Sequence, residues 1–526
     1  MPDAEQTDAI TVSVPDEAAP RMARYMGRYE VLTSEETVDA SNVVAVIQHA
    51  KMAFGTNREQ ARYLWNYYRG NQPIIWEKVK DVRPEIDNRI VENHAKEIVD
   101  FKVGYQLAEP LQYVLRHHDG TKGPLAGESD ETDEARDAHL ADINELNTLM
   151  FADNKESDDR ELFEWLCICG IGFRICEASE EGGDAPFEQH TLSPLETFVV
   201  RESSYRRRPV LGVWVGKLAD GTEVYNAWTD KRLYTVVGDQ VTSEEAHTYG
   251  RVPIVEYQLN KARMGAFEPA LPLLDAMNAI TSGRLDGMEQ TVQSLMKFIN
   301  CDIDEKTFSD MLKLGAVKVT SQEGTKGDVD FIKNDLDQSQ TQVTKDDVYQ
   351  AVVNICGMPN RNGTSGSSSD TGAAVLLRDG WSLAESHAKG YELEFKKAER
   401  EFLRVVLSIC EQSSEASVDL RIRDIELAFN RRNYENLLVK VQALTGMLPD
   451  GFEIHPEVAF RHSGLFSDPE SAYLESRRWT EERAEEREQK ALDLAARQGA
   501  QEGPTDPGPQ AGSPQRGDDG APAPSA

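Results

Sequence analysis

The 526-residue sequence predicts an α+β fold. Helical periodicity lies on both sides of a single block of short β-branched and aromatic segments, and a turn dipeptide sits inside that block. After the block, an apolar seam continues along one helix for about forty residues.

Residues 1–40, opening MPDAEQTDAITVSVPDEAAP, are expected to be a mobile polar arm. A basic segment followed by an apolar one, the mark of a secretory signal, is missing, so the chain is expected to stay in the compartment where it is made. From Val43 to Tyr68 the pattern is helical, and Gly70 after YLWNYYR supplies the stop. A second helix covers Asn93 to Gly104 and runs into the extended YQLAEPLQYVLRH. The acidic GESDETDEARDAHLADINELNTLMF enters a helix ending near Phe151, its Asp and Glu favoured by the positive N-terminal end.

The β block follows. IGFRICEAS, TFVVR, VLGVWVGKL, EVYNAWT, RLYTVV and PIVEYQL are short strand patterns, and Asp220-Gly221 makes a hairpin turn between two of them, so an antiparallel meander is expected. From Ala270 to Ile299, apolar residues at Leu273, Met277, Ile280, Leu285, Met288, Val292, Leu295 and Ile299 keep helical spacing. A small mixed segment follows, with strands at AVKVTS and VDFIKN around the turn-like EGTKGD. Gln340 to Cys356 is helical again and leads into GMPNRNGTSGSSSDTGAAVLLR, Gly357 to Arg378.

Leu377, Trp381, Ala384, Ala388, Tyr391, Phe395, Ala398, Phe402, Val405 and Ile409 then alternate four and three residues apart, the apolar face of one long helix. Gly380 and Gly390 fall inside it, which predicts a bend or a very close neighbour. VDLRIRDIELAF reads as strand, NYENLLVKVQALTG as helix, and Pro469 to Gln498 as a charge-laced helix with pairs such as Glu486 with Lys490. The closing GPTDPGPQAGSPQRGDDGAPAPSA cannot bury enough apolar surface to order itself.

Length allows about two to four domain-sized units. Charged residues at 28% and a mean hydropathy of −0.53 fit large solvated faces. The most apolar run, Leu162 to Cys176, is broken by Glu164 and Arg174 and is core rather than a membrane span. A net charge of −34 with a pI near 4.7 argues against tight, sequence-independent DNA binding, which needs Lys and Arg on phosphates. It permits a surface past which DNA slides.

Catalytic motifs are missing. GxxxxGK[ST], HExxH, paired CxxC and GxSxG do not occur, and EGTKGDVD lacks phosphate-loop spacing. Cys167, Cys169 and Cys176 have no histidine at ligand spacing and read as reduced core thiols. His117 and His118 are adjacent and would face opposite sides of a strand; Asp302 and Asp304 read as solvated turn positions. No cofactor and no metal is expected. A phosphate cradle at SSSDTG lacks the preceding strand, and Asp370 or Thr371 more simply caps the next helix.

Several strings, in this order, resemble the portal proteins of tailed bacteriophages, the SPP1-type family. They are YLWNYYRGNQPI, DNRIVENHAKEIVDFKVGYQLAEPLQY, SPLETFVV, YGRVPIVEYQLNK, LPLLDAMNAITSGRLDGMEQ and GMPNRNGTSGSSSDTGAAVLL. The likeness runs, with gaps, from about residue 60 to 480. It implies a portal fold: a wing of helices and β-sheet over 41–266, a stem helix at 267–299, a small α/β clip at 300–339 and a second stem helix at 340–357. A channel loop at 358–370, a long wing helix at 371–412, a junction at 413–465, a helical crown at 466–499 and a disordered tail at 500–526 complete it.

The same resemblance implies a non-enzymatic ring, usually of twelve subunits, at one capsid vertex of a virion made in a bacterial host's cytoplasm. Terminase would pump double-stranded DNA through the channel without sequence specificity. Major capsid and scaffolding proteins and a head-tail adaptor would be further partners, with roles in head assembly, head-tail joining and DNA ejection. An adaptor or minor head protein, or a packaging enzyme, is the competing reading. By this likeness Asn360, Arg361, Asn362, Thr364, Ser365, Ser367 and Ser368 form the channel loop, with Arg361 and its flanking asparagines carrying phosphate-contact chemistry; alternatively they only terminate the stem helix. Lys313, Lys318 and Lys326 lie in the clip, as DNA-entrance or terminase-facing residues or as solvated loop positions. The polar SSSD run departs from a firm wedge against DNA.

Overall fold

The computed structural model describes residues 27–81, 83–116, 133–179, 184–292, 295–299, 306, 309, 328–332, 338–359, 380–413, 416, 418–429, 431, 437–447, 455–463, 465–466 and 469–499. The chain divides into two compact units, Met1–Asn436 and Leu437–Ala526.

In the first unit, β1 (Val31–Thr33) precedes α1 (Val43–Tyr68), the short α2 (Pro73–Trp76), α3 (His94–Gln106) and β2 (Gln112–Leu115). Helices α4 (Asp133–Ala152) and α5 (Lys155–Cys169) lead into eight strands: β3 (Ile171–Ala178), β4 (Phe187–Leu192), β5 (Thr197–Glu202), β6 (Pro209–Lys217), β7 (Glu223–Trp228), β8 (Arg232–Val237), β9 (Gln240–Ala246) and β10 (Ile254–Gln258). Next come α6 (Leu271–Val292), β11 (Leu295–Ile299), β12 (Asp328–Ile332), α7 (Gln338–Ile355), α8 (Trp381–Gln412) and β13 (Ile425–Ala428).

Strands β5 to β9 form an antiparallel meander, while β3 and β10, expected in it, pair in a separate sheet, and β1 adds to the meander's free edge in parallel, Val31 opposite Val200. The N-terminal half of α1 covers this sheet, with Val43, Val46, Ile47, Ala50 and Phe54 buried against Phe198, Leu211, Val213 and Tyr225. A second sheet, in the order β10-β3-β4, lies between the meander and the helices. Its centre, β3, is buried at Ile171 to Cys176 because both faces are covered, which is why IGFRIC, apart from the buried Arg174, shows no exposed polar alternation. Gly212 of β6 lets the two sheets approach: a Cβ there would lie 2.7 Å from Cβ of Ile254.

The largest core joins the C-terminal half of α1 with α3, α4, α5 and α8. Along α8 the seam residues Ala384, Ala388, Phe395, Ala398, Phe402, Val405 and Ile409 are buried, as the four-three spacing requires. Four charges are buried beneath it. Asp159 accepts from Lys155 at 2.6 Å and pairs with Arg174; Glu399 of α8 lies 3.4 Å from Lys155 and 3.6 Å from Arg174. The hydroxyls of Tyr113 and Tyr257 donate to Glu399 at 2.5 Å each. Burial pushes the Glu399 carboxyl up, but the two cations and two hydroxyls outweigh it and hold its pKa below the ordinary value.

Four expectations are corrected. The polar arm does not extend to residue 40: Arg28 forms a fully buried ion pair with Glu268 at 2.5 Å, and β1 joins the sheet. Polar composition concealed this, because the anchors are one charge and a three-residue edge strand. Helix α6 ends at Val292, and Leu295–Ile299 instead pairs antiparallel with Asp328–Ile332. Apolar spacing in so short a run fits either state, and the ladder decided it. Gly380 is not inside α8 but precedes it, at φ 80. Gly390 is inside, yet a Cβ there would meet nothing within 4 Å, so no close neighbour explains it. Strands β4 and β9 were not expected; β9 is an exposed edge rich in Thr, Ser and Glu. AVKVTS, His117, His118, Asp302, Asp304, Leu377 and the tail lie outside the described residues.

In the second unit, α9 (Leu437–Met447), α10 (Pro456–Ser463) and α11 (Pro469–Gly499) follow one another. The Phe460 ring of α10 meets Phe466 at 5.1 Å and Tyr473 of α11 at 5.9 Å. Beyond that aromatic contact α11 is exposed through Leu492, and Lys490 pairs with Glu486 at 3.2 Å.

Candidate functional site

The two helices expected to form the stem, α6 and α7, pack on each other, with the Arg284 guanidinium donating to Gln342 Oε1 at 2.6 Å. An extended strap, residues 87–93, ties them to the rest of the unit. The Asn88 backbone N–H donates to Asp286 at 2.8 Å, that of Ile90 to Ser282 Oγ at 2.9 Å, and that of Glu92 to Asn278 Oδ1 at 2.8 Å. Every second strap residue thus meets every fourth helix residue. Two extended residues advance about 6.6 Å and four helical residues about 6 Å, so the two repeats stay in step over this length.

Carboxylates lock the strap at both ends. Asp286 accepts from Lys78 at 3.0 Å, Lys80 at 2.9 Å and the Asn88 side chain at 2.9 Å. Partial burial opposes ionisation, but these donors hold its pKa well below the ordinary value. Glu92 accepts from Thr281 of α6 and Lys345 of α7 at 2.5 Å each, bridging both helices. Burial again opposes, and Lys345, Thr281 and His94 together lower its pKa. His94 contacts Glu97 at 2.7 Å and Glu92 at 3.1 Å; burial favours its neutral form, yet the two carboxylates raise its pKa.

At the end of α7 the helix closes on itself. Met358 N–H donates to Val353 O at 2.9 Å and Gly357 N–H to Asn354 O at 3.2 Å, with Gly357 at φ 61. This is the Schellman arrangement, which needs a left-handed residue. A Cβ on Gly357 would also lie 2.7 Å from the ring of His387, on the second turn of α8. The outgoing end of the segment between Pro359 and Gly380 is therefore rooted against α8, about two turns past the start of that helix. Beneath the root sits Lys102, buried with its ammonium 5.1 Å from the Tyr391 ring centre. Burial lowers its pKa, and burial together with Lys102 lowers that of His387.

The ladder β11–β12 roots the other excursion: Ile299 pairs with Asp328, so the segment between leaves and returns at one point. The sequence-predicted residues themselves, Asn360, Arg361, Asn362, Thr364, Ser365, Ser367, Ser368, Lys313, Lys318 and Lys326, lie outside the described residues. The structure describes the frame from which both segments spring. It also shows that α7 is terminated by Gly357 and Met358, before Asn360. Sequence reading missed Asp286, Glu92 and Lys345, because DNRIVEN carries no polar alternation that would mark an extended strap. Among the described residues no three His, Cys, Asp or Glu side chains are grouped to hold a metal ion.

The family profile described as "Phage portal protein, SPP1 Gp6-like" matches residues 49–489. The chain belongs to this family. The strap, helices α6 and α7 and the roots of both excursions fall within the matched span, and the chain's role is that of a portal protein, a structural rather than a catalytic component of the virion. Two solved structures are similar, "Neck of empty GTA particle computed with C6 symmetry" and "Neck of native GTA particle computed with C12 symmetry". They are 14% and 13% identical, cover 70% of this chain and 90% and 89% of theirs, and give TM-scores of 0.43 and 0.42. Likenesses this distant add nothing to the assignment. Comparison with curated proteins finds no match.

Proposed function

We propose that the chain assembles into a ring, of twelve subunits, whose central channel passes double-stranded DNA during packaging by terminase, retention and ejection. The family match over residues 49–489 carries this reading. In it, α6 and α7 line the stem and residues 300–327 form the clip, facing terminase and later the head-tail adaptor. Residues 358–370 form a loop toward the DNA. The second unit forms the crown, and capsid and scaffolding proteins hold the wing.

Two features of the frame support these roles. Met288 of α6 and Val343 of α7 are about half exposed in the single chain, 46% and 60%, and would be covered by neighbours in a ring. Capping α7 at Gly357 and pairing Ile299 with Asp328 would let each excursion vary in shape without disturbing the helices, as a segment following moving DNA requires. With a net charge of −34 per chain, the ring would centre DNA by repulsion and hold few phosphates. A sliding channel must not be a tight binding site.

Deleting residues 362–369 tests the loop's role. Because α7 is capped by Gly357 and Met358, rings should form unchanged while particles lose packaged DNA. Rings lost on deletion would show the loop to be structural. ATP hydrolysis or DNA cleavage by the purified chain without terminase would instead support a packaging enzyme.

A further inference from the structure

One cavity on the wing runs against the charge of the whole chain. About 420 Å³ in volume, it is lined by Arg201, Arg206, Arg207, Arg208, Arg251 and Arg404, with only Asp230 and Glu401 in opposition. These arginines come from three places: the end of β5 with the loop that follows it, the turn before β10, and the outer face of α8.

The loop is built rather than loose. Its Arg207 sits at φ 50, a conformation seldom adopted by a residue with a side chain, and its carbonyl accepts from the Arg201 guanidinium at 3.1 Å. A register shift between Val200 and Arg201 bends β5 at the same point. Arg201 has carboxylates only at 3.6 and 3.8 Å, from Glu256 and Glu401, and Arg251 and Arg404 carry no ion pair among the described residues. Arg207 has Glu30 at 3.6 Å, but six guanidinium groups around one cavity still outnumber its two lining carboxylates by four, a lining that favours an anion.

We propose that this cavity is the cationic half of the contact between neighbouring copies in the ring, and that it receives carboxylates from the next subunit. The proposal rests on the ring reading and names the chemistry of its interface. The partner follows from charge: with 91 Asp and Glu against 57 Lys and Arg, the surface of another copy is the acidic one at hand. Geometry follows too. Two such cavities facing each other across a two-fold axis would repel, so the complementary carboxylates must lie elsewhere on the neighbour. Contacts of that kind are head-to-tail, the type from which a closed ring is built when the rotation between neighbours closes.

A nucleic acid fits less well. The cavity continues, through Arg201, Arg206, Arg207 and Glu401, into a second one of mixed charge that adds Glu30, Glu256 and Glu394 beside Arg263 and Lys397. An evenly charged phosphate backbone laid along both would run against these carboxylates, whereas a protein surface can match the alternation.

The full-length chain carrying Arg251→Glu with Arg404→Glu, beside the neutral pair Arg251→Gln with Arg404→Gln, tests this by size-exclusion chromatography with light scattering over a range of concentrations. Circular dichroism serves as the folding control. Wild-type rings should give way to folded single chains in the charge-reversed variant, or require roughly tenfold more protein to assemble, with the neutral pair between. Variants that assemble like the wild type would overturn the proposal and leave the ring intact as a reading. Rings that form normally but no longer retain DNA would overturn it in favour of a nucleic-acid site. A wild-type chain that never forms rings would overturn the ring reading, and this proposal with it.

Discussion

Glu399 sits among two buried cations and two buried tyrosine hydroxyls, so its removal leaves Lys155 and Arg174 sharing the single carboxylate of Asp159. Taking one partner from a buried charged set is far costlier than never having built it. Glu399→Ala is therefore expected to lose about 3 to 5 kcal/mol in urea unfolding of the isolated chain; a loss under about 1 kcal/mol would show that water or rearrangement satisfies the cations. His94 offers a test by pH. Its folded-state pKa is raised by Glu97 and Glu92 despite burial, so its contribution is fully present below the unfolded value near 6.5 and is lost as pH rises through the folded value. The advantage of the wild type over His94→Gln in melting temperature should be largest near pH 6 and shrink toward pH 9. A difference that does not change with pH would mean that His94 acts by packing. None of these roles was readable at single positions. A buried glutamate and a surface one look alike in sequence, and partners such as Asp286 and Asn88 stand too far apart to leave a periodic trace.

At the scale of elements, regular spacing was the readable quantity. Helix α1 was expected and found at Val43 to Tyr68, six strand segments were found where β-branched and aromatic residues cluster, and the seam of α8 is buried from Ala384 to Ile409. Phe395 and Phe402 are 1% and 0% exposed, so replacing either by Ala should cost about 3 to 5 kcal/mol. An unchanged melting temperature for both variants would contradict the burial of the seam. Elements held by polar contacts or by few residues were not readable: β1, β4, the edge strand β9, and the strand β11 that begins at Leu295 so soon after α6 ends. The strap at 87–93 is the instructive case. Its residues were singled out as a family-like string, but their work, pairing an extended two-residue repeat with a helical four-residue repeat, becomes visible only once α6 lies beside them. The candidate loop and clip residues were named by resemblance, and the helix, Schellman turn and ladder that root them are what the structure adds.

For the whole molecule, acidity, missing catalytic motifs and the order of family-like strings pointed one way, and the match over residues 49–489 places the chain among phage portal proteins. A single copy leaves Met288 of α6, Val343 of α7 and the arginine-lined cavity beside β5 and α8 exposed, and the proposed ring would cover them. Negative-stain images of the purified full-length chain are the most direct measurement of that central claim. Rings with a central hole and near twelvefold symmetry are the predicted result; single chains at every concentration would contradict it.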